Sequence, residues 1–324
     1  MRVLVTGVDG FVGSHAAEYL LGVGGVEVHG TTLTAEFGPS IRHIASKLHL
    51  HAANITDASQ VHRLFQEIEP DRVIHLAAQA FVPAAVKDPV ETFHTNIMGG
   101  LTILEAARML AARQHHCSVI VVSSGEVYGR VPADRHPITE EFPLAPNNPY
   151  ATSKAGIDLI AQEYHRTFGV DVVVARPFNH AGPRQSPQFV CSDFGRHFAL
   201  MAAGKAPAVI QAGNLDARRD FTDVRDVVRA YWSLFERTGE ENLFNICSGK
   251  AYMIREVVEM LSDITGISVD LRIDPARVRL YDNPLVLGSY ERLKAATGWT
   301  PTIPFRQTLH DVFAYWQNNL VSHP

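Results

Sequence analysis

Short apolar runs alternate with stretches of helical periodicity through the first half of the chain. Residues 2–6 form a β-branched run ending at Gly7, residues 14–21 have the spacing of an amphipathic helix, and residues 26–31 return to a strand pattern. The alternation continues with a strand over 48–53, a helix over 58–67 and an apolar strand over 72–76. A long helical stretch over 89–113 follows, then strands over 118–123 and 170–175 with a helix between them over 149–168. Strands alternating with helices predict a parallel sheet with right-handed crossovers. The predicted fold is α/β: a Rossmann-type doubly wound parallel sheet with a smaller α/β lobe. Beyond Arg176 the pattern loosens into loops containing Pro and Gly, with helices over 193–203, 224–235 and 254–265. This places a cofactor domain at 1–178 and a substrate-binding lobe at 179–324. No repeat, low-complexity tract or flexible linker separates them, so close packing with chain crossing between the lobes is expected.

Composition narrows the partners. The net charge of -5 leaves no excess of positive charge to displace counterions from a nucleic-acid backbone, and no Lys/Arg block stands out, so no nucleic-acid partner is expected. Cys117, Cys191 and Cys247 are odd in number, widely spaced and without a CxxC pair, as reduced, buried thiols of a cytoplasmic protein would be. No apolar run approaches the roughly 20 residues of a membrane-spanning helix, and the N-terminus lacks signal-peptide character, so no membrane partner is expected. Among the 16 histidines, His115 and His116 follow a helical pattern without HExxH spacing, while His49 and His51 alternate along a strand; no metal site is expected.

Three clusters carry chemistry. Gly7-Val8-Asp9-Gly10-Phe11-Val12-Gly13 lies between the first strand and the first helix, where backbone N–H groups and the helix dipole hold a pyrophosphate; its spacing is GxxGxxG. Tyr150 and Lys154 stand four residues apart and share a helix face. At about 4 Å and an effective dielectric near 20, a cation attracts a phenolate by ~4 kcal/mol, which is expected to lower the tyrosine pKa toward neutrality and make Tyr150 a general acid/base. Ser123 and Ser124 follow an apolar strand at the carboxyl edge of the sheet, where a Ser124 hydroxyl can polarise a carbonyl. Taken singly, each cluster has an ordinary reading: a tight turn, surface side chains, a turn start.

Together, Gly7 to Gly13, the trio Ser124, Tyr150 and Lys154, and the turn His75-Leu76-Ala77-Ala78-Gln79 resemble the extended short-chain dehydrogenases/reductases over essentially the whole chain. The string from Arg176 to Ser186, with Asp274 to Arg279 and Gly298-Trp299, is similar to the branch that reduces GDP-4-dehydro-6-deoxy-D-mannose to GDP-D-rhamnose. The resemblance implies a GDP-sugar substrate, NADP or NAD as cofactor, and a homodimer built through the helices over 89–113 and 149–168. Tyr150 would be the proton donor, Ser124 a hydrogen-bond donor to the substrate oxygen, and Lys154 a cation at the nicotinamide ribose. Gly7, Gly10, Phe11, Val12, Gly13, Thr32, Asn54, Ile55, Leu76, Ala77, Ala78 and Pro177 would complete the cofactor site. Asn179, Val190, Arg219 and Arg279 would hold the sugar nucleotide, arginine being suited to phosphate by its planar fork. Arg277 is expected to pair with a neighbouring acid instead. The second strand ends His29-Gly30-Thr31-Thr32-Leu33-Thr34, without the acid that binds a ribose 2'-hydroxyl, which favours NADPH slightly.

Glu126 stands where dehydratases of this family carry a glutamate, so a GDP-mannose 4,6-dehydratase stays open as a reading, with Glu126 as an added catalytic residue; Gly125 beside it offers no acid or hydroxyl. A 4-epimerase is a third reading. A silent cofactor-sensing regulator on the same fold is a fourth, opposed by the intact Ser124, Tyr150 and Lys154.

Overall fold

Six predicted strands pair in parallel: β1 (Arg2–Thr6), β2 (Glu27–Thr32), β3 (His49–Ala52), β4 (Arg72–His75), β5 (Ser118–Val122) and β6 (Val172–Pro177). The computed structural model describes residues 1–34, 36–277 and 283–320. A seventh strand, Leu243–Ile246, returns from the second half to pair in parallel with β6, giving the order Leu243–Ile246, β6, β5, β4, β1, β2, β3. Chain order reverses between β1 and β4, the switch point at which open α/β sheets bind ligands.

Alternation along β1 shows how both faces are covered. Val3 and Val5 enter one core with Ala16, Ala17, Val227 and Tyr231; Leu4 enters the other with Phe65, Ile103 and Ile157. The first face is roofed by helices Phe11–Gly22 and Val224–Leu234, the second by Ala58–Ile68, Gly99–Ala112 and Pro149–Phe168. Strand Leu243–Ile246 and helix Val224–Leu234 thus build the sheet domain although both lie beyond residue 178. The return strand escapes a sequence reading because it is four residues long and follows a polar loop.

The helical stretch over 89–113 is not one regular helix. Pro89–Phe93 runs into a π turn at His94–Met98 before Gly99–Ala112 resumes. His115 and His116 lie past the end of that helix, where Gln114 turns the chain at φ +62°, and not on it as their spacing implied.

The smaller lobe is built on strand Arg218–Asp223, which pairs with Asn179–Ala181, Ala251–Met253 and Leu285–Val286. Its core gathers Phe194, Phe198, Leu261 and Leu309 from three helices. Cys117, Cys191 and Cys247 are buried and unpaired in disulfides. No helix among the described residues is long and apolar enough to cross a membrane.

One buried ion pair joins these parts. Arg176 of β6 donates to both oxygens of Asp158, at 2.7 and 3.0 Å, and to the Tyr128 hydroxyl at 2.9 Å; Tyr128 donates onward to Asn245 Oδ1 at 2.7 Å. Removing one partner of such a pair strands a charge in the core. Asp158→Ala is expected to cost about 3–5 kcal/mol of stability, read as a lowered midpoint of urea denaturation, whereas an unchanged midpoint would show the pair to be dispensable.

Candidate active site

The loop after β1 opens the site. Gly7 turns at φ +67° against Ala77, and a Cβ on Gly13 would come 2.2 Å from the Gly7 carbonyl oxygen, so the helix can start close to the sheet only with glycine there. Gly10 caps that helix without any side chain, leaving the first-turn N–H groups of Phe11 and Val12 open to an anion. These are the contours a dinucleotide pyrophosphate requires.

Across the switch point, Thr6 locks the turn after β4. Its Oγ1 accepts N–H bonds from Leu76 and Ala77, each at 3.1 Å, and lies 2.8 Å from His75 Nδ1. With both N–H bonds accepted, the threonine proton is directed to His75 Nδ1, which requires a neutral ring protonated at Nε2. Burial, then the nearby Lys154 charge, push His75 down to about 3, in keeping with that tautomer. Pro177 ends β6 and is buried opposite Ile246.

Of the residues expected at the adenosine end, two are partly engaged elsewhere. Thr32 Oγ1 donates to Thr34 O at 2.6 Å, and Asn54 Oδ1 accepts from Thr56 N and Oγ1 at 3.0 and 2.9 Å. The Asn54 side chain therefore offers its amide N–H groups outward, not its oxygen. Ile55 is buried against Gly99.

The reactive cluster sits over the ends of β5 and β6. Helix Pro149–Phe168 begins with Asn148, whose Oδ1 accepts the Ala151 N–H at 2.9 Å. This sets Tyr150 in the first turn and Lys154 one turn on. Ser124 Oγ accepts the Glu126 N–H at 3.1 Å, and the Ser124 side chain acts on the buried Tyr150 phenol. Lys154 Nζ donates to the Val122 carbonyl at 2.8 Å. The expected depression of the tyrosine is reversed in this arrangement. Burial and the Glu126 charge raise Tyr150 above its ordinary value, while burial lowers Lys154 to about 8. A lysine short of solvent holds its proton less firmly than a free ammonium.

Two positioning groups lie outside the site residues expected from the sequence. Asn96, in the π turn, donates to Gln79 O at 3.0 Å and Ser153 Oγ at 2.8 Å and accepts the Gln79 N–H at 2.8 Å, linking the turn after β4 to the catalytic helix. No signal marks it inside a helical pattern. Asn148 was legible as an Asn-Pro helix start.

On the substrate side, Asn179 is exposed at the start of its short strand and Val190 opens helix Val190–Ala202. Arg219 Nη1 donates to Asn283 O at 2.6 Å, which turns the guanidinium along the strand. Asp220 faces the other way. It is fully buried and accepts from Ser248 N and Oγ, Gly249 N and Gly288 N, at 2.8, 2.6, 3.0 and 3.3 Å. Arg277 pairs with Asp193 and Asp274. Arg279 lies outside the described residues.

A family model described as GDP-mannose 4,6 dehydratase matches residues 4–312. The GDP-6-deoxy-D-mannose reductase of Pseudomonas aeruginosa is 36% identical over 98% of this chain and 98% of its own length. A GDP-mannose 4,6-dehydratase of Vibrio cholerae is 30% identical over 94% of this chain and 91% of its own. Among solved structures, RMD from Pseudomonas aeruginosa complexed with NADPH superposes with a TM-score of 0.84 at 36% identity, covering 98% of this chain and 99% of that one.

The buried lysine gives a stability signature. A base whose folded pKa is depressed binds fewer protons than in the unfolded chain between about 8 and its ordinary 10.5, so stability rises with pH across that window. Lys154→Met is expected to raise stability at pH 7 by up to roughly 3 kcal/mol, with the advantage shrinking between pH 8 and 10.5. Denaturation of both proteins across that range checks it; a constant difference would show that Lys154 does not titrate there.

Proposed function

The chain belongs to the GDP-mannose 4,6-dehydratase family, and from that premise we propose that it is an NADPH-dependent reductase converting GDP-4-dehydro-6-deoxy-D-mannose to GDP-D-rhamnose. It is an oxidoreductase-type enzyme of the nucleotide-sugar reductases and dehydratases. The observation that carries the finer reading is the crowding at Gly125. A Cβ there would come 2.9 Å from the Phe178 ring, so this point supplies no acid or hydroxyl beside Glu126, and the Glu126 carboxylate that an elimination would need is itself engaged by Asn148 Nδ2 at 3.0 Å.

The glycine cradle fits a dinucleotide: the N–H groups after Gly10 would hold its pyrophosphate, and Pro177, Tyr150 and Lys154 would hold its nicotinamide end. Thr32, Asn54 and Ile55 line the adenosine end; Leu76, Ala77 and Ala78 flank the middle. When bound, the reduced nicotinamide supplies the hydride that C4 of the sugar accepts. Tyr150, held as a phenol, donates its proton to the developing C4 alkoxide, and Ser124 hydrogen-bonds the same oxygen. Lys154 steadies the tyrosinate left behind and binds the nicotinamide ribose. Asn179, Val190 and Arg219 hold the sugar nucleotide, with Arg279 as a further phosphate contact. The absence of an acid at the strand tip Thr32-Leu33-Thr34 supports NADPH over NADH.

The outer faces of two neighbouring helical segments leave Val90, Met98, Met109, Leu159 and Phe168 exposed. Pairing these faces in a second copy would bury them in a four-helix arrangement. A Met98→Glu/Leu159→Glu double variant is expected to sediment as a monomer where the unaltered protein sediments as a dimer; the same mass for both would remove this surface as the interface.

The reductase reading is tested by supplying the pure enzyme with GDP-4-dehydro-6-deoxy-mannose or GDP-mannose, each with NADPH or NADH. Net oxidation of the cofactor with the keto sugar alone is expected. Conversion of GDP-mannose to a keto product without net cofactor use would replace the reductase with a dehydratase.

A further inference from the structure

We infer that Glu126 is a positioning residue that fixes the two hydroxyls of the site against each other: its side chain holds the cap of the Tyr150 helix while its backbone N–H holds Ser124. Asn148 Nδ2 donates to Glu126 Oε2 at 3.0 Å, and Asn148 Oδ1 accepts the Ala151 N–H at 2.9 Å. Glu126 N donates to Ser124 Oγ at 3.1 Å, and the Ser124 side chain acts on the Tyr150 phenol. One residue thus links Ser124, through Glu126 and Asn148, to the first turn of the helix that carries Tyr150. The same carboxylate is the acidic group that acts on the phenol. The other ionisable group that interacts with Tyr150 is Tyr231 of helix Val224–Leu234, while Lys154, one turn further along the Tyr150 helix, has its Nζ engaged by Val122 O.

This charge has a directional consequence, which rests on the reductase reading. Reduction consumes a proton donor: hydride reaches C4, the Tyr150 proton reaches O4, and the tyrosinate regains its proton from water. An anion beside Tyr150 favours the proton-bearing form before the step and drives reprotonation after it. Oxidation of the alcohol, the opening step of a dehydratase, would need tyrosinate at the outset and is opposed by the same charge.

Two variants separate the roles. Glu126→Gln keeps a carbonyl acceptor for Asn148 and removes the charge; Glu126→Ala removes both. With Glu126→Gln, hydrogen exchange at the Ala151 and Thr152 amides should match the unaltered enzyme, while the alkaline limb of kcat for keto-sugar reduction moves to lower pH by about one unit. With Glu126→Ala, exchange at those amides should quicken and kcat fall about 10- to 100-fold, with KM for the keto sugar little changed. Unchanged exchange in Glu126→Ala, or an unmoved limb in Glu126→Gln, overturns the inference. So does abolition of turnover by Glu126→Gln with normal exchange, the mark of an acid/base residue. If the unaltered enzyme leaves the keto sugar untouched, the reductase reading fails on its own, and the exchange measurements still decide the positioning role.

Discussion

The bidentate bond between Arg176 and Asp158 ties the catalytic helix to the last strand of the parallel series, and the placement of every reactive group follows from it. Asp158 lies one turn beyond Lys154 and two beyond Tyr150, on the same helix face. Arg176 lies one residue before Pro177, where the sheet hands the chain to the substrate lobe. Pulling the helix onto β6 therefore sets the position of Tyr150 over the ends of β5 and β6. Tyr128 and Asn245 carry the same tie to the return strand, and Asn245 N donates to Glu140 at 2.7 Å, so the sheet edge and the loop beneath it move as one body. Hydrophobic packing alone is too non-directional to fix a helix along its axis; a charged fork with two geometric constraints does so, and in return demands full satisfaction of both charges.

Desolvation is the second constraint. Within a small volume at the strand ends it holds His75 neutral, lowers Lys154 and raises Tyr150. The three shifts act in concert, each favouring the uncharged form of its group, yet at about 8 Lys154 keeps its charge at neutral pH, so the floor of the site sets one buried ammonium among a neutral His75 and a neutral Tyr150. A pyrophosphate and a reacting oxyanion would enter a region where preorganised N–H and O–H groups, not mobile ions, provide the stabilisation. Such dipoles are worth most where water is excluded.

Much of this was legible in the sequence, and the boundary is physical. Six strands and the helices between them announce themselves because each buries a face whose period matches its geometry, as Val3 and Val5 against Leu4 illustrate. The glycine loop and the Tyr150 and Lys154 spacing are local, and local spacing survives in a linear text. What could not be read depends on groups far apart in the chain. Asn245 lies more than a hundred residues from Tyr128, the return strand is too short to show a period, and Asn96 sits inside a helix whose π turn its spacing does not betray. The tyrosine shift was misjudged for the same reason: the i, i+4 rule places Lys154 beside Tyr150, but says nothing of the Val122 carbonyl that claims the ammonium or of the carboxylate from another loop.

Asp220 shows how the substrate lobe keeps its form while its ligand contacts vary. All four of its partners are donors, a set that suits a carboxylate, yet burial pushes the group up to about 6 against the pull of those bonds. The energy spent on ionising it is returned as fixed positions for Ser248, Gly249 and Gly288 around one strand. Gly288 in turn packs against Phe178, the ring that crowds Gly125. A buried acid in the lobe is thereby connected, through backbone and one aromatic ring, to the side-chain-free position beside Glu126. Enlarging Gly125 would require moving Phe178, and moving Phe178 would disturb a loop held by Asp220. The empty side-chain position is thus built into the packing of the lobe as well as into the local sequence.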